Sequence, residues 1–227
     1  MAEQLNSIIP NVMEKLPEFL TSIKETFIMV GWSGIISFIL GLLLGVTITV
    51  TKPGNIMSNP VVYHAIDKVV NFFRSIPFII LLAGLVPLTR LIMGTAIGVE
   101  GAIVPLVFGC TPFFTRQIES ALADVSPGLI EAAQSMGSGK LDIIMRVYLK
   151  ESISGIARAT TITIISLIGL TAMAGAIGAG GLGDYAIRFG HQRNQPDVTY
   201  TTVIVLVIIV SVIQLIGNYI ARKNTHE

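Results

Sequence analysis

Two segments carry glycine patterns of the kind that bind phosphate groups. The first, EAAQSMGSGK at residues 131–140, ends in Gly-Ser-Gly-Lys. A phosphate loop of the form G-x-x-x-x-G-K-[ST] lies between a strand and a helix, because its backbone surrounds the phosphates and its hydroxyl binds magnesium. Here Gln134 occupies the position of the first glycine and Leu141 that of the hydroxyl. The segment therefore does not predict a nucleotide site.

The second segment is GAIGAGGLG, residues 175–183. Gly178, Gly180 and Gly183 match G-x-G-x-x-G, but a dinucleotide site needs a strand before this pattern and a helix after it. A long apolar stretch of helical length precedes it instead. We expect a closely packed turn in which glycine permits positive φ.

Other chemistry is poorly represented. The three histidines, His64, His191 and His226, lie far apart, and Cys110 is the single cysteine. Neither a metal-ligand spacing nor a cluster of nucleophile and base is evident. A net charge of +1 is too small to indicate nucleic acid as a partner. We therefore expect no catalytic residues and no metal or cofactor on this chain.

The composition indicates a membrane protein. Hydrophobic residues make up 52% and charged residues 13%, against about a quarter charged in soluble domains. Mean hydropathy is +0.75. We predict an all-α, polytopic integral membrane protein with about five transmembrane helices. They lie near 27–50, 69–92, 99–121, 153–175 and 198–221.

The second and third spans are less regular than the others. Pro77 and Pro87 would kink the second span, and Pro105 and Pro112 the third. Two re-entrant segments are the alternative for these stretches. Residues 1–25 alternate apolar and charged groups, which predicts an amphipathic segment on the outer surface or against other spans, broken at Pro10 and Pro17.

The distribution of Lys and Arg predicts the orientation. With an outside N-terminus, ten basic residues lie on the cytoplasmic side and five outside, which the positive-inside rule favours. Residues 222–227 then form a cytoplasmic tail. The cytoplasmic set is Lys52, Lys68, Arg74, Arg116, Lys140, Arg146, Lys150, Arg158, Arg222 and Lys223; the outer set is Lys15, Lys24, Arg90, Arg188 and Arg193.

The longest polar loop, residues 122–152, carries its own helix signals. Ser126 suits an N-cap and Pro127 the first helical position, and the helix is expected to stop at Gly137. Ser138 can cap a second helix. Leu129, Ile130, Ala133 and Met136 share one predicted apolar face. That face packs either against the chain's own spans or into a groove on a partner.

This loop contains the motif that makes the sequence recognisable. Glu131, Ala132, Ala133 and Gly137 match the E-A-A-x-x-x-G motif of ABC-transporter permeases. The I-x-L-P that follows in that family is here V-Y-L-K, with Lys150 in place of proline, which puts the helix break there in doubt. From about residue 22 to 222 the chain resembles the methionine-uptake branch of type I importer permeases, with a permease domain at 22–217. The segments that carry the resemblance are TKPG (51–54), RSIPFIILL (74–82), PLTRLIMGTAIG (87–98), AIVPL (102–106), GLIEAAQSMG (128–137) and GAIGAGGLG (175–183).

The resemblance implies a type I ABC importer permease fold and a function. It implies a homodimer in the bacterial cytoplasmic membrane, two ABC ATPase subunits that bind ATP and Mg, and an external substrate-binding protein that is often lipid-anchored. This chain would be no enzyme but a conduit for methionine. The loop helix would be the coupling helix that contacts the ATPase, through Leu129, Ile130, Glu131, Ala132, Ala133, Met136 and Gly137.

The substrate pathway is less well defined by the sequence. A zwitterion needs modest polarity along its path. The candidates are Ser75, Pro77, Thr160, Thr161, Thr163, Ser166 and Met173. Alternatively the hydroxyls bond carbonyls of their own helix, and Met173 is simple packing.

Two other functions are left as alternatives. The first is a permease for another small zwitterion such as glycine betaine, since osmoprotectant permeases share a similar glycine turn. The second is a secondary transporter driven by an ion gradient. That class buries paired charges and has inverted repeats, neither of which is evident in the sequence.

Overall fold

The computed structural model describes residues 8–224, which form helices and no β-strand. The predicted all-α class is confirmed. The helices are α1 Pro10–Glu14, α2 Leu16–Thr51, α3 Pro60–Ser75, α4 Phe78–Gly84, α5 Val86–Met93, α6 Gly98–Ala123, α7 Pro127–Ser135, α8 (Lys140–Ile143, π-helical over Ile144–Tyr148, then Leu149–Glu151), α9 Ile153–Gly175, α10 (Gly181–Tyr185, π-helical over Ala186–His191) and α11 Pro196–Lys223.

Within residues 8–224, four helices are long and apolar enough to cross a membrane: α2, α6, α9 and α11. The predicted second span, 69–92, is not one helix but is divided among α3, α4 and α5. Ile76 is extended, with φ −87° and ψ 122°, because the residue before a proline is pushed out of the α region. Pro105 and Pro112, in contrast, lie inside the uninterrupted α6.

The N-terminal segment differs from the sequence expectation. Part of it, residues 1–7, lies outside the described residues. The helix is interrupted at Ile9 and at Lys15, beside Pro10 and Pro17, as predicted. The piece that begins at Leu16 is not short, however, and continues to Thr51. Proline is tolerated in a first turn, where its missing N–H has no intrahelical partner. Residues 16–25 are therefore the beginning of the first long helix.

The chain divides into two compact units. The first combines the residues up to Ile35 with Pro77–Phe108 and Ile164–Ile213. The rings of Phe19 and Tyr185 lie 5.2 Å apart in its core. Asn11 donates from its backbone N–H and its side-chain amide to the Asp197 carboxylate, at 3.0 and 2.9 Å. Burial raises the pKa of Tyr185, and the charges of Glu18 and Asp197 raise it further. The buried cluster comprises Val12, Phe19, Leu182, Tyr185, Phe189 and Val198.

The second unit combines Ile36–Ile76, Gly109–Thr163 and the residues from Gln214 onward. Its helices approach closely at glycines. A Cβ on Gly45 would lie 2.6 Å from Ile118 Cγ2, and one on Gly41 2.7 Å from the Phe114 ring. Small residues permit such approach between membrane helices. The buried cluster comprises Val50, Phe114, Ile118, Leu122, Val125, Ala133, Ile143, Ile144, Tyr148 and Ala159.

Candidate functional site

Helix α7 carries the E-A-A residues on the loop between α6 and α9. Pro127 occupies its first turn, as predicted, and Ser126 occupies the N-cap position. The Ser126 hydroxyl makes no capping bond; instead the Leu129 N–H donates to the Ser126 carbonyl at 3.1 Å. The start of the helix is therefore set by the backbone and by proline's fixed φ.

The end of α7 is a glycine turn. Gly137 has φ +78°, in the left-handed region. Its N–H donates to the Gln134 carbonyl at 2.9 Å, and the Ser138 N–H donates to the Ala133 carbonyl at 3.0 Å. These two bonds form a Schellman motif, which confirms the predicted stop at Gly137. The predicted cap at Ser138 is wrong, because the next helix begins at Lys140 with Gly139 as its N-cap.

The predicted apolar face of α7 divides into two parts. Ala133 is 5% exposed and belongs to the buried cluster of the second unit, and Ile130 packs against that cluster. Leu129 and Met136 are 46% and 79% exposed. Helix α7 thus attaches to its own unit through one pair of apolar residues and presents another to the surroundings. Glu131, Ala132 and Gly137 are also exposed.

An open cleft of about 390 Å³ separates α7 from the turn that follows α2. Lys52 and Glu131, both exposed, place opposite charges among its lining residues. Tyr148 donates its hydroxyl to Asn55 Oδ1 at 2.8 Å, and Asn55 Nδ2 donates to the Thr49 carbonyl at 2.8 Å. These bonds fix the turn. In the sequence, TKPG contributes to the family resemblance and Lys52 to the predicted orientation, and neither associates Lys52 with the loop.

The helix break that Lys150 put in doubt does occur, without proline. Lys150 lies inside α8, and the helix is interrupted two residues later at Ser152, with φ −90° and ψ 6°. The Ser152 hydroxyl donates to the Ala121 carbonyl at 3.1 Å. A tertiary hydrogen bond to α6 therefore accompanies the break, where the family motif carries proline.

The hydroxyls predicted along the pathway bond mainly to their own helices. Thr160 and Thr163 donate to the carbonyls four residues earlier, at 2.7 and 2.8 Å. Thr161 and Ser75 do the same, each at 2.8 Å. All four hydroxyls therefore follow the alternative given in the sequence analysis, hydrogen bonding to a carbonyl of the same helix. Membrane helices satisfy hydroxyls in this way because no water competes.

The remaining pathway candidates lie in the first unit. Pro77 is exposed at the N-cap of α4, Ser166 is half-buried, and Met173 is 43% exposed. Ser75, Thr160 and Thr163 belong to the second unit. The candidates are therefore not confined to one compact unit.

A charge network in the second unit was missed by the sequence analysis. Arg116, on α6, forms an ion pair with Asp67 and donates to Glu119 at 2.5 Å and to Asn71 Oδ1 at 2.9 Å. The three charged side chains are only 18–27% exposed. Paired charges are thus partly buried on a helix long enough to cross a membrane, contrary to the sequence expectation. Ionisable groups in such helices need partners.

The glycine segment 175–183 is a tight turn, as predicted. Helix α9 ends at Gly175, and Gly178, Gly180 and Gly181 have φ between +77° and +97°. A Cβ on Gly175 would lie 2.6 Å from the Asp184 backbone nitrogen. A side chain at position 175 would not fit this path. Among residues 8–224, no group of three His, Cys, Asp or Glu side chains is placed to hold a metal ion.

Comparison with known proteins identifies the family. Residues 37–224 match the model of the binding-protein-dependent transport system inner membrane component. A probable D-methionine transport system permease of Vibrio cholerae is 44% identical over 92% of both chains, and one of Haemophilus influenzae is 38% identical over 91% of this chain and 97% of that protein. A chain of the MetNI methionine ABC transporter in an inward-facing conformation is 43% identical, with a TM-score of 0.91 over 94% of this chain and 99% of that chain.

These matches confirm the resemblance to methionine permeases and the type I importer permease fold. A more distant amino acid ABC transporter, 16% identical with a TM-score of 0.78, shares the fold. The chain therefore belongs to the family of inner membrane components of binding-protein-dependent transport systems, and it is a multi-pass membrane protein.

Proposed function

We propose that this chain is the permease subunit of an ATP-driven importer that moves methionine across the cytoplasmic membrane. The observation that carries the proposal is the E-A-A helix α7, which ends in the glycine turn at Gly137 and exposes Glu131. The chain is also 44% identical to the probable D-methionine transport system permease of Vibrio cholerae. The proposed assembly contains two copies of this chain, two ABC ATPase subunits and an external binding protein. ATP and Mg bind to the ATPase, so this chain is not itself an enzyme.

Helix α7 is the proposed contact with the ATPase. Leu129 and Met136 offer exposed apolar surface, and Glu131 offers an exposed carboxylate. An amphipathic helix of this kind fits a groove on a partner protein. The adjoining cleft adds Lys52 as a second charged group on the same unit.

The anchoring of α7 supports a lever mechanism. Ala133 and Ile130 pack into the buried cluster that includes Phe114, Leu122 and Tyr148. Close-packed interiors transmit displacement, since they deform little. A movement of the ATPase surface is therefore transferred to the helices of this unit, and it biases the importer between inward-open and outward-open states.

The proposed orientation has the N-terminus outside and the C-terminus in the cytoplasm, which places α7 on the ATPase side. A reporter fused to the C-terminus that proved extracellular would contradict this. Along the pathway, we retain Pro77, Ser166 and Met173 as candidate contacts. Thr160 and Thr163 each donate the hydroxyl proton to a carbonyl within α9. They therefore remain candidates only through the methyl group or through the hydroxyl oxygen as an acceptor.

The decisive experiment is uptake into proteoliposomes that contain the complete complex. Labelled methionine and labelled betaine are offered with the external binding protein, with and without ATP inside. ATP-dependent methionine uptake is the expected result. Preferential uptake of betaine would establish the alternative function, a permease for another small zwitterion. Transport by this chain alone under an ion gradient would refute the importer.

A further inference from the structure

Two neighbouring residues of α2 bind the start of α10, 156 residues further along the chain. The Gly181 N–H donates to Glu25 Oε2 at 2.7 Å, and the Leu182 N–H donates to Thr26 Oγ1 at 2.9 Å. Thr26 donates its own proton to the Ser22 carbonyl at 3.0 Å, which leaves its lone pairs for Leu182. The first N–H groups of a helix have no intrahelical acceptor. Glu25 and Thr26 therefore supply, from a distant helix, the caps that α10 lacks.

The glycine turn is shaped to admit these two side chains. A Cβ on Gly180 would lie 2.7 Å from Glu25 Oε2. A Cβ on Gly181 would lie 2.8 Å from Thr26 Oγ1 and 2.7 Å from Met29 Cε. Both glycines also have positive φ, +82° and +77°. Backbone conformation and close approach thus both require glycine here.

The same turn is bonded to a second glycine-bounded turn, residues 94–98. The Gly98 N–H donates to the Gly178 carbonyl at 3.3 Å, and Gly94 and Gly98 have φ of +76° and +74°. Each turn presents an exposed isoleucine: Ile97 is 75% and Ile177 49% exposed. The position of both apolar side chains therefore depends on how the 175–183 turn is held.

We propose that Glu25 and Thr26 form a latch that positions the paired turns 94–98 and 175–183 for transport. This inference rests on the proposed import function and adds positioning residues to it. Glycine gives the turn the largest backbone freedom to lose. A carboxylate acceptor opposes that freedom more strongly than a neutral one, because charge-assisted hydrogen bonds are about twice as strong. Without these two hydrogen bonds, the 175–183 turn adopts other conformations, and Ile177 no longer keeps its exposed position.

The first test is hydrogen exchange of the peptide covering residues 175–185, measured by mass spectrometry on the intact complex. In the unaltered protein the Gly181 and Leu182 amides are expected to be protected. In Glu25→Ala, exchange should rise about tenfold, the loss expected for a bond to a charged group. Glu25→Gln keeps a weaker, neutral oxygen acceptor, so exchange should rise only about threefold. Unprotected amides in the unaltered complex would overturn the latch.

The second test is methionine uptake by the same variants. Glu25→Ala is expected to lower the uptake rate about tenfold, Thr26→Val by less, and Glu25→Gln only about threefold. The matched control is Glu18→Ala, an exposed carboxylate two turns earlier on α2. Equal uptake in Glu25→Ala and Glu18→Ala, with the complex assembled, would overturn the positioning role.

The two tests separate this inference from the proposed function. If the unaltered complex does not import methionine but its Gly181 and Leu182 amides are protected until Glu25 is changed, the import proposal fails and the contact stands. If the unaltered complex imports methionine and Glu25→Ala changes neither exchange nor uptake, the latch alone is refuted.

Discussion

Replacement of Gly137 by valine tests whether the turn after α7 matters for coupling. Gly137 has φ +78°, and a Cβ there would meet no heavy atom within 4 Å. The cost therefore comes from the backbone, not from a clash. An L-residue in the left-handed region costs about 1–2 kcal/mol. If the turn opens instead, it loses the bonds to Gln134 and Ala133, each worth about 0.5–1.5 kcal/mol.

The strain is thus similar in size to the bond energy that holds the turn closed, so the open form becomes competitive. A cost of about 1–2 kcal/mol lowers its population relative to open forms by about five- to thirtyfold. We expect Gly137→Val to reduce ATP-driven methionine uptake in proteoliposomes by a comparable factor, while the chain still enters the membrane. Gly139→Val is the matched control, because Gly139 has φ −68° and valine tolerates that conformation. Normal uptake by Gly137→Val, or equal loss in both variants, would refute the reasoning.

Three further predictions concern other parts of the chain. Glu131→Lys should weaken co-purification with the ATPase by about fivefold, in line with an exposed ion pair, and unchanged recovery would exclude that contact. Gly45→Ala should lower the thermal unfolding temperature, since overpacking costs about 1–3 kcal/mol, whereas Gly31→Ala, with nothing within 4 Å of its Cβ, should not. Ser166→Ala should reduce methionine uptake about threefold and Thr163→Val less than twofold; the reverse order would argue against Ser166 as a pathway contact.

Features set by local chemistry were predictable. The apolar stretches around α2, α6, α9 and α11 follow from the length that a bilayer requires. The start of α7 at Pro127 and its stop at Gly137 follow from proline's fixed φ and glycine's freedom. The prediction that each proline would kink a membrane span failed, because the effect of a proline depends on the residues packed around it. Pro77 ends a helix, whereas Pro105 lies within one, and local propensity does not distinguish them.

The sequence by itself thus determined that this is a helical membrane protein of the permease family, with an E-A-A motif on its longest polar loop. The tertiary structure alone decided which way each residue of that motif faces: Ala133 inward and Met136 outward. It also decided the Arg116–Asp67 pair, 49 residues apart, and the Glu25–Gly181 contact, 156 residues apart. Such contacts depend on how whole helices pack, and helical spacing within a segment contains no information about them.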